Sequence, residues 1–294
     1  MFGLIYNPVS GGGIREELIR RIESAVAERG ERCRTFATQE EGDGERQARA
    51  ALAEGCTDIA IMGGDGSLSD AVRALAGSDA ALSVVPCGTG NDFARALGLP
   101  KNPFEAFMAQ LDSESSRIDC GAVNGKPFIN VAGTGFDVEV LRRTEELKDI
   151  YPGEQAYRRA LLSVLSKYEA MEMEVSIDGA PFTRQRLTIV EAANGRFFGG
   201  GMRIAPDARI DDALLDVVQV CRVPRREIPF LLPLLIAGLH VHLPVVKVCR
   251  ARSVTIRRSG MVVNIDGRLE AMDEAHFEVL SGALRVRRPA KKAR

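Results

Sequence analysis

Asp58-Ile59-Ala60-Ile61-Met62-Gly63-Gly64-Asp65-Gly66-Ser67-Leu68 is an apolar run of strand length that stops at two glycines, meets a carboxylate and passes into a helical pattern from Leu68 to Ala76. A buried strand that ends in glycines and feeds a helix is half of a crossover unit, and the same cadence recurs on both sides. Upstream, residues 2–6 are an apolar run ending at Asn7-Pro8. Ile14, Leu18, Ile22 and Val26 then return every four residues along one helix face, with Gly30 as the stop. Arg34 to Ala37 predicts a second strand, and Glu45 to Glu54, closed by Gly55, a second helix. Downstream, Ala81 to Val85 predicts a strand closed by Pro86. Strands alternating with helices require crossover connections, so the first half reads as a doubly wound α/β domain with a mostly parallel sheet.

Beyond about residue 116 the texture changes. Asn124-Gly125, Asp178-Gly179 and Asp266-Gly267 each sit between apolar or alternating stretches, where tight hairpin turns need residues that tolerate positive φ. Val254-Thr255-Ile256, Met261 to Ile265 and Ala283 to Val286 are short and β-prone, and helices are expected at Val138–Lys148, Ala156–Tyr168 and Arg225–Leu239. The expected fold class is therefore α/β followed by a C-terminal, mostly antiparallel, β-sandwich-like domain.

Three glycine-rich loops follow three of the predicted strands: Asn7-Pro8-Val9-Ser10-Gly11-Gly12-Gly13, Gly63-Gly64-Asp65-Gly66-Ser67, and Pro86-Cys87-Gly88-Thr89-Gly90-Asn91-Asp92. In an open parallel sheet, ligands bind beyond the carboxyl ends of the strands. Glycines there let backbone N–H groups approach a phosphate, and each following helix turns its positive end toward it. Ser10, Ser67 and Thr89 add hydroxyl donors. Asp65 is a carboxylate set among phosphate-binding groups, a placement that calls for Mg²⁺ between the two. No GxxxxGK[ST] is present, nor a GxGxxG with an acidic residue about 20 positions on. Hydride transfer is disfavoured.

Composition narrows the classes further. The 294 residues carry 39 basic and 40 acidic side chains, a net charge of −1, which leaves no electrostatic case for nucleic-acid binding. The run Arg285 to Arg294 is locally basic and reads as a solvated terminus, with attraction to an anionic membrane surface as the alternative. The first residues lack the pattern of a secretory leader. The longest apolar segment, Ile228 to Leu243, is interrupted by Pro229, Pro233, His240 and His242 and falls short of a bilayer span. Six scattered cysteines without a CxxC pair read as reduced thiols of a cytoplasmic protein, with a peripheral position at the inner membrane face as the alternative. Phe230 to Leu239, preceded by Arg225-Arg226, reads as a buried core helix, or else as an interfacial one. His240 and His242 lack a third ligand for a metal.

Several of these stretches, taken together, resemble the diacylglycerol kinase catalytic domain family, which includes bacterial soluble diacylglycerol kinases, related lipid kinases and sphingosine kinases. The resemblance rests on Asn7-Pro8-Val9-Ser10-Gly11, Gly63-Gly64-Asp65-Gly66-Ser67 and Gly88-Thr89-Gly90-Asn91-Asp92-Phe93-Ala94. It continues through Asn194 to Met202, Ala205 to Asp212 and Leu214-Leu215-Asp216-Val217, and so covers essentially the whole chain. The Gly63–Gly66 loop alone is similar, more distantly, to NAD kinases and 6-phosphofructokinases. The resemblance implies a nucleotide-binding domain over 1–120, an acceptor domain over 121–280, and a segment of about 281–294 returning to the first. It implies ATP, Mg²⁺ and γ-phosphoryl transfer to the hydroxyl of diacylglycerol or a related lipid at a membrane surface. By position, Asn7, Pro8, Val9, Ser10, Gly11, Thr38, Gly63, Gly64, Asp65, Gly66, Ser67, Leu68, Ser69 and Thr89 match nucleotide contacts. Asp212 matches the carboxylate of a structural Mg²⁺ site, with Arg209 and Leu214 as carbonyl donors; a plain acidic turn at Asp211-Asp212 is the alternative. A homodimer stays open.

One position departs. Where the family usually has Asp-Gly-Glu, this chain reads Asp266-Gly267-Arg268-Leu269-Glu270. The resemblance implies that the missing Glu is the general base, and a guanidinium keeps its proton at any working pH. Glu270 shares a strand face with Arg268 but lies about 6.6 Å further along, and Asp65 is the other substitute. Reduced or altered kinase activity follows. The competing readings are a nucleotide-binding regulatory protein that has lost catalysis, and a soluble-metabolite kinase similar to NAD kinase.

Overall fold

The computed structural model describes residues 1–8, 16–40, 42–151, 154–165 and 167–289. In the first half, β1 (Phe2–Tyr6), α1 (Glu16–Ala27), β2 (Cys33–Ala37), α2 (Gly44–Ala53), β3 (Asp58–Gly63), α3 (Asp65–Leu75) and β4 (Ala81–Pro86) alternate as expected. The short α4 (Asp92–Ala96) and α5 (Pro103–Leu111) complete it. The strands are parallel in the order β4-β3-β1-β2. β3 and β4 are buried at every residue, as a sheet covered on both faces must be. α1 packs Leu18, Ile22 and Val26 with Phe2 and Phe107 on one face, while α2 and α3 pack Ala48, Ala51, Val72 and Leu75 on the other. Each fully buried Leu or Ile there contributes about 1.5–3 kcal/mol. Ile14, the first member of the predicted helix face, lies outside the described residues.

The second half contains β5 (Ser115–Val123), β6 (Lys126–Phe128), β7 (Val131–Gly135), α6 (Phe136–Leu147), α7 (Glu154–Leu165), β8 (Met171–Ile177), β9 (Thr183–Ala193) and β10 (Leu215–Cys221). It continues through α8 (Ile228–Ala237), β11 (Val246–Ala251), β12 (Ser253–Ile265) and β13 (Arg268–Arg287). Pairing here is antiparallel, and β7, β9, β8 and β12 form a closed circuit around Met173, Val175, Val190, Val263 and their neighbours. The three predicted hairpin turns are present. Asn124, Asp178 and Asp266 have φ of 47°, 48° and 49°, each followed by a glycine that is also positive.

β13 joins the halves. Its first part pairs with β12 and its later part with β5; then Arg285 and Val286 pair in parallel with Ala81 and Leu82 of β4. This corrects the reading of the basic run as a solvated terminus. Arg285 to Arg287 belong to the sheet, the Arg287 guanidinium donates to Asp58 at 2.7 Å, and Arg288 donates to Asp211 at 3.1 Å. Residues 290–294 lie outside the described residues. The helix expected over Arg225–Leu239 is α8 preceded by a single 3-10 turn at Arg225–Glu227, and Ile228 is its one buried residue, so it is not a core helix. No disulfide joins the cysteines among the described residues.

Candidate active site

The carboxyl ends of the parallel strands meet at one rim. Thr38 N–H donates to Tyr6 O at 2.9 Å, Asn7 N–H to Met62 O at 3.4 Å, and Cys87 N–H to Gly63 O at 2.9 Å. Here the glycines are a steric requirement. A Cβ on Gly88 would lie 2.5 Å from Gly64 Cα, and one on Gly90 would lie 2.6 Å from Asp65 Oδ2. The second and third loops therefore touch backbone to backbone. α3 begins at Asp65, three residues before the predicted start, because Gly64 in extended conformation caps it. Its first amides consequently face the rim rather than closing a longer loop.

Two carboxylates sit among these amides. Asp65 Oδ1 accepts the Asp92 N–H at 2.7 Å, and Asp92 Oδ2 accepts the Gly200 N–H at 2.9 Å. Gly199-Gly200-Gly201, all at positive φ, thus brings a fourth glycine loop from the second half. Burial raises the Asp65 carboxyl. Burial, and then the Asp65 charge, pushes Asp92 up to about 6.

The rim opens into a cavity of about 720 Å³ whose lining changes character along its length. One end is formed by Asn7, Thr38, Gly64, Asp65, Ser67 and Asp92. The other is formed by Phe136, Val140, Leu141 and Leu161 from α6 and α7, Leu232 and Leu235 from α8, and Ile189 and Met202. Between them lie Asp137, Tyr157, Asn264 and Asp266. Asp266 accepts the N–H groups of Ile129, Asn130 and Val131 at 2.7, 3.0 and 3.1 Å, yet burial still pushes it up to about 6. Asn264 Nδ2 donates to Asp137 Oδ2 at 2.9 Å. Beside Asp137 stands Glu191, fully buried; burial first, and then the Asp137 charge, lifts its carboxyl well above the usual range. Neither Glu191 oxygen meets a donor among the described residues, which is why burial weighs so heavily against its charged form. Tyr157 feels both Asp137 and Asp92, and burial pushes its hydroxyl up to about 12.

Of the nucleotide-contact positions, Asn7, Pro8, Thr38, Gly64, Asp65, Gly66 and Ser67 line the cavity. Gly63, Leu68, Ser69 and Thr89 do not. Gly63 ends β3, Leu68 packs in the core, Ser69 is buried, and Thr89 is exposed at its loop. Val9, Ser10 and Gly11 lie outside the described residues. Arg268 lines the cavity and forms an ion pair with Asp70 of α3. Glu270 does not line it; its carboxylate pairs with Lys126 of β6, so the two residues of the shared strand face have different partners. Sequence reasoning passed over Asp137 and Glu191. Asp137 is the second residue of α6, after the N-cap Gly135, much as Asp65 is the first of α3 after Gly64, and Glu191 is a charge within the buried stretch 187–193 of β9.

Arg209, Asp212 and Leu214 stand apart from the cavity, in the segment leading to β10. Asp119 holds that segment: it accepts Ala213 N–H at 2.7 Å and donates its own N–H to Ile210 O at 2.7 Å. Both Asp212 oxygens are buried without a hydrogen-bond donor, beside an equally orphaned Asp216 Oδ2, and the Arg250 guanidinium is 3.6 Å away. A buried carboxylate without a hydrogen-bond donor keeps lone pairs that fit a hard divalent cation.

Residues 1–123 match the diacylglycerol kinase catalytic domain, and residues 130–288 match the YegS C-terminal NAD kinase beta sandwich-like domain. A diacylglycerol kinase of Mycobacterium tuberculosis is 34% identical, the match covering 96% of this chain and 93% of that one. A probable YegS-like lipid kinase of Pseudomonas aeruginosa is 37% identical over 93% and 90%. In fold, the chain matches the crystal structure of a putative diacylglycerol kinase from Bacillus anthracis with TM-score 0.81 at 24% identity, covering 98% of this chain and 96% of that one. An NAD kinase from Archaeoglobus fulgidus matches with TM-score 0.55 at 13% identity, covering 99% and 95%. The chain belongs to the family of diacylglycerol kinases and YegS-like lipid kinases, and so to the phosphotransferases.

Proposed function

We propose that this protein transfers the γ-phosphoryl group of ATP to the hydroxyl of a diacylglycerol or related lipid. The observation that carries the reading is a single cavity with a glycine-and-carboxylate rim at one end and an apolar wall of three helices at the other. A polyphosphate suits the rim, where the first amides of α3, which have no partner within the helix, donate to it. Acyl chains suit the wall, and the acceptor hydroxyl then sits between them, near Asp137 and Tyr157. Asp65 and Asp92 would hold Mg²⁺, which neutralises phosphate charge when bound, and Asp212 with the carbonyls of Arg209 and Leu214 would hold a structural ion.

In the reaction the acceptor oxygen bonds to the γ-phosphorus as the bond to the β–γ bridging oxygen breaks, and ADP leaves. Arg268 cannot take the hydroxyl proton, which goes instead to a cavity carboxylate or to the transferred phosphoryl. General-base help is worth about 10²–10⁴-fold, whereas positioning and charge neutralisation dominate a loose phosphoryl transfer. Arg268 therefore lowers or alters activity without abolishing it. The test is transfer of label from γ-labelled ATP into a chloroform-extractable product from total bacterial lipid, with the product identified by mass. Label confined to the aqueous phase supports a soluble-metabolite kinase. Saturable ATP binding with no transfer to any lipid supports the regulatory reading, to which Arg268 lends weight.

A further inference from the structure

We infer that the outer face of α8, with the adjoining outer face of α7, docks on an anionic phospholipid bilayer and sets the apolar end of the cavity against it. The inference rests on the lipid-acceptor reading above and names the surface through which that acceptor arrives.

The sequence of α8, Ile-Pro-Phe-Leu-Leu-Pro-Leu-Leu-Ile-Ala, is apolar on every side. Such a helix belongs inside a large core or in lipid. The protein supplies no such core: Phe230 is 76% exposed, Ile236 53%, and Leu239, just beyond the helix, 52%. Leu232 and Leu235 of the same helix line the cavity. α8 is thus wet on its outer side while its inner side walls the cavity. α7 repeats the arrangement, with Leu161 lining the cavity and Leu162 68% exposed. Leu231 of α8 and Leu165 of α7 pack against the same apolar cluster of Ile189, Val220, Val223 and Ile228. The exposed apolar face is therefore continuous with the wall of the cavity.

Charge selects the occupant. Residues 222–247 carry Arg222, Arg225, Arg226 and Lys247 against a single acid, Glu227, in a chain whose net charge is −1. Arg222 and Arg226 are exposed next to the start of α8. A short apolar helix flanked by cations lies in the plane of an anionic interface, its apolar side chains below the headgroups and its guanidinium groups among them. At ten residues α8 is too short to cross, and no helix among the described residues is long and apolar enough to do so. A second copy of the chain fits less well, because its own 222–247 segment would offer those guanidinium groups no acid but Glu227.

The test uses the full chain and vesicles of phosphatidylcholine with and without phosphatidylglycerol, scored by flotation. Wild type is expected to float with the anionic vesicles, less with the neutral ones, and less as salt rises. Phe230→Asp combined with Ile236→Asp should lose binding to both, and Arg222→Glu combined with Arg226→Glu should lose at least about tenfold on anionic vesicles alone. Both variants should keep wild-type circular dichroism and wild-type label transfer to a short-chain acceptor dispersed in detergent, while losing transfer to acceptor embedded in vesicles. Wild type that stays with the solvent at low salt overturns the docking surface even if detergent-phase kinase activity is intact. Flotation without any lipid phosphorylation overturns the kinase reading and leaves the docking surface standing. A dimer that Phe230→Asp with Ile236→Asp dissociates, in a chain that does not float, overturns it in favour of self-association.

Discussion

The two ends of the cavity are built by different means. At the rim, function is carried by backbone: the Gly64–Gly88 contact, the amides at the start of α3, and the N–H groups of Asp92 and Gly200 held by neighbouring carboxylates. At the helical end it is carried by side chains that only form a wall, such as Leu161, Leu232 and Leu235. A backbone site tolerates few substitutions and is written in short runs of sequence. A side-chain wall tolerates many and is assembled from segments far apart in the chain. The rim should accordingly be brittle and shared among ligands, and the wall adjustable and selective.

The largest effect expected from attacking this contrast is at the rim. Asp65→Ala should cut label transfer by about 10²–10³-fold, the scale of losing one preorganised charge, with the melting temperature little changed. Equal loss of activity and folded structure would mean that Asp65 is structural. At the other end, Leu232→Trp should fill the acyl wall and raise KM for long-chain acceptors by about 10–200-fold, while ATP binding measured by calorimetry stays put. If both ligands weaken together, the two ends are not independent.

Arg268 lies between the two in kind, a side chain from β13 reaching the rim helix at Asp70. Arg268→Glu should raise transfer to the best lipid acceptor by about tenfold or more by restoring a proton acceptor. It should also cost about 1–2 kcal/mol in urea unfolding, because the ion pair between Arg268 and buried Asp70 is lost; the partial exposure of the Arg268 side chain keeps that figure small. An unchanged rate on every lipid would remove position 268 from the chemistry.

The smallest effect concerns the buried carboxyls at the junction. Asp137, Glu191 and Asp266 all have folded pKa values raised by burial, Asp266 to about 6. The folded state therefore binds protons that the unfolded chain releases from about pH 4 upward. The Asp266 contribution to stability is complete below that pH and is lost as pH rises through 6, and those of Asp137 and Glu191 also fall as pH rises. Glu191→Gln should flatten the fall in unfolding free energy as pH rises, read from denaturant melts at a series of pH values. A slope equal to wild type would show that Glu191 carries no extra proton.

What the sequence made legible follows the same contrast. The rim was readable because strand, glycines and helix start are adjacent in the chain, and the hairpins because Asn-Gly and Asp-Gly have few alternatives to a tight turn. Thr89 is exposed at the third loop, where the chain doubles back at Asn91 in left-handed conformation at φ 52°. α8 was ambiguous because an all-apolar helix says only that it avoids water, and what covers it depends on elements remote in sequence. Asp137 and Glu191 were missed for a related reason: β7, β9 and β12 bring them to Asn264, and no local pattern announces that meeting.

β13 has a consequence for how the protein is made. Ala81 and Leu82 of β4 find their partners at Arg285 and Val286, so a chain emerging from the ribosome displays β4 as a raw sheet edge until those residues arrive. Unpaired strand edges recruit other strands. Throughout that interval the nascent first half is a sheet with a vacancy, which only the far end of the chain can fill.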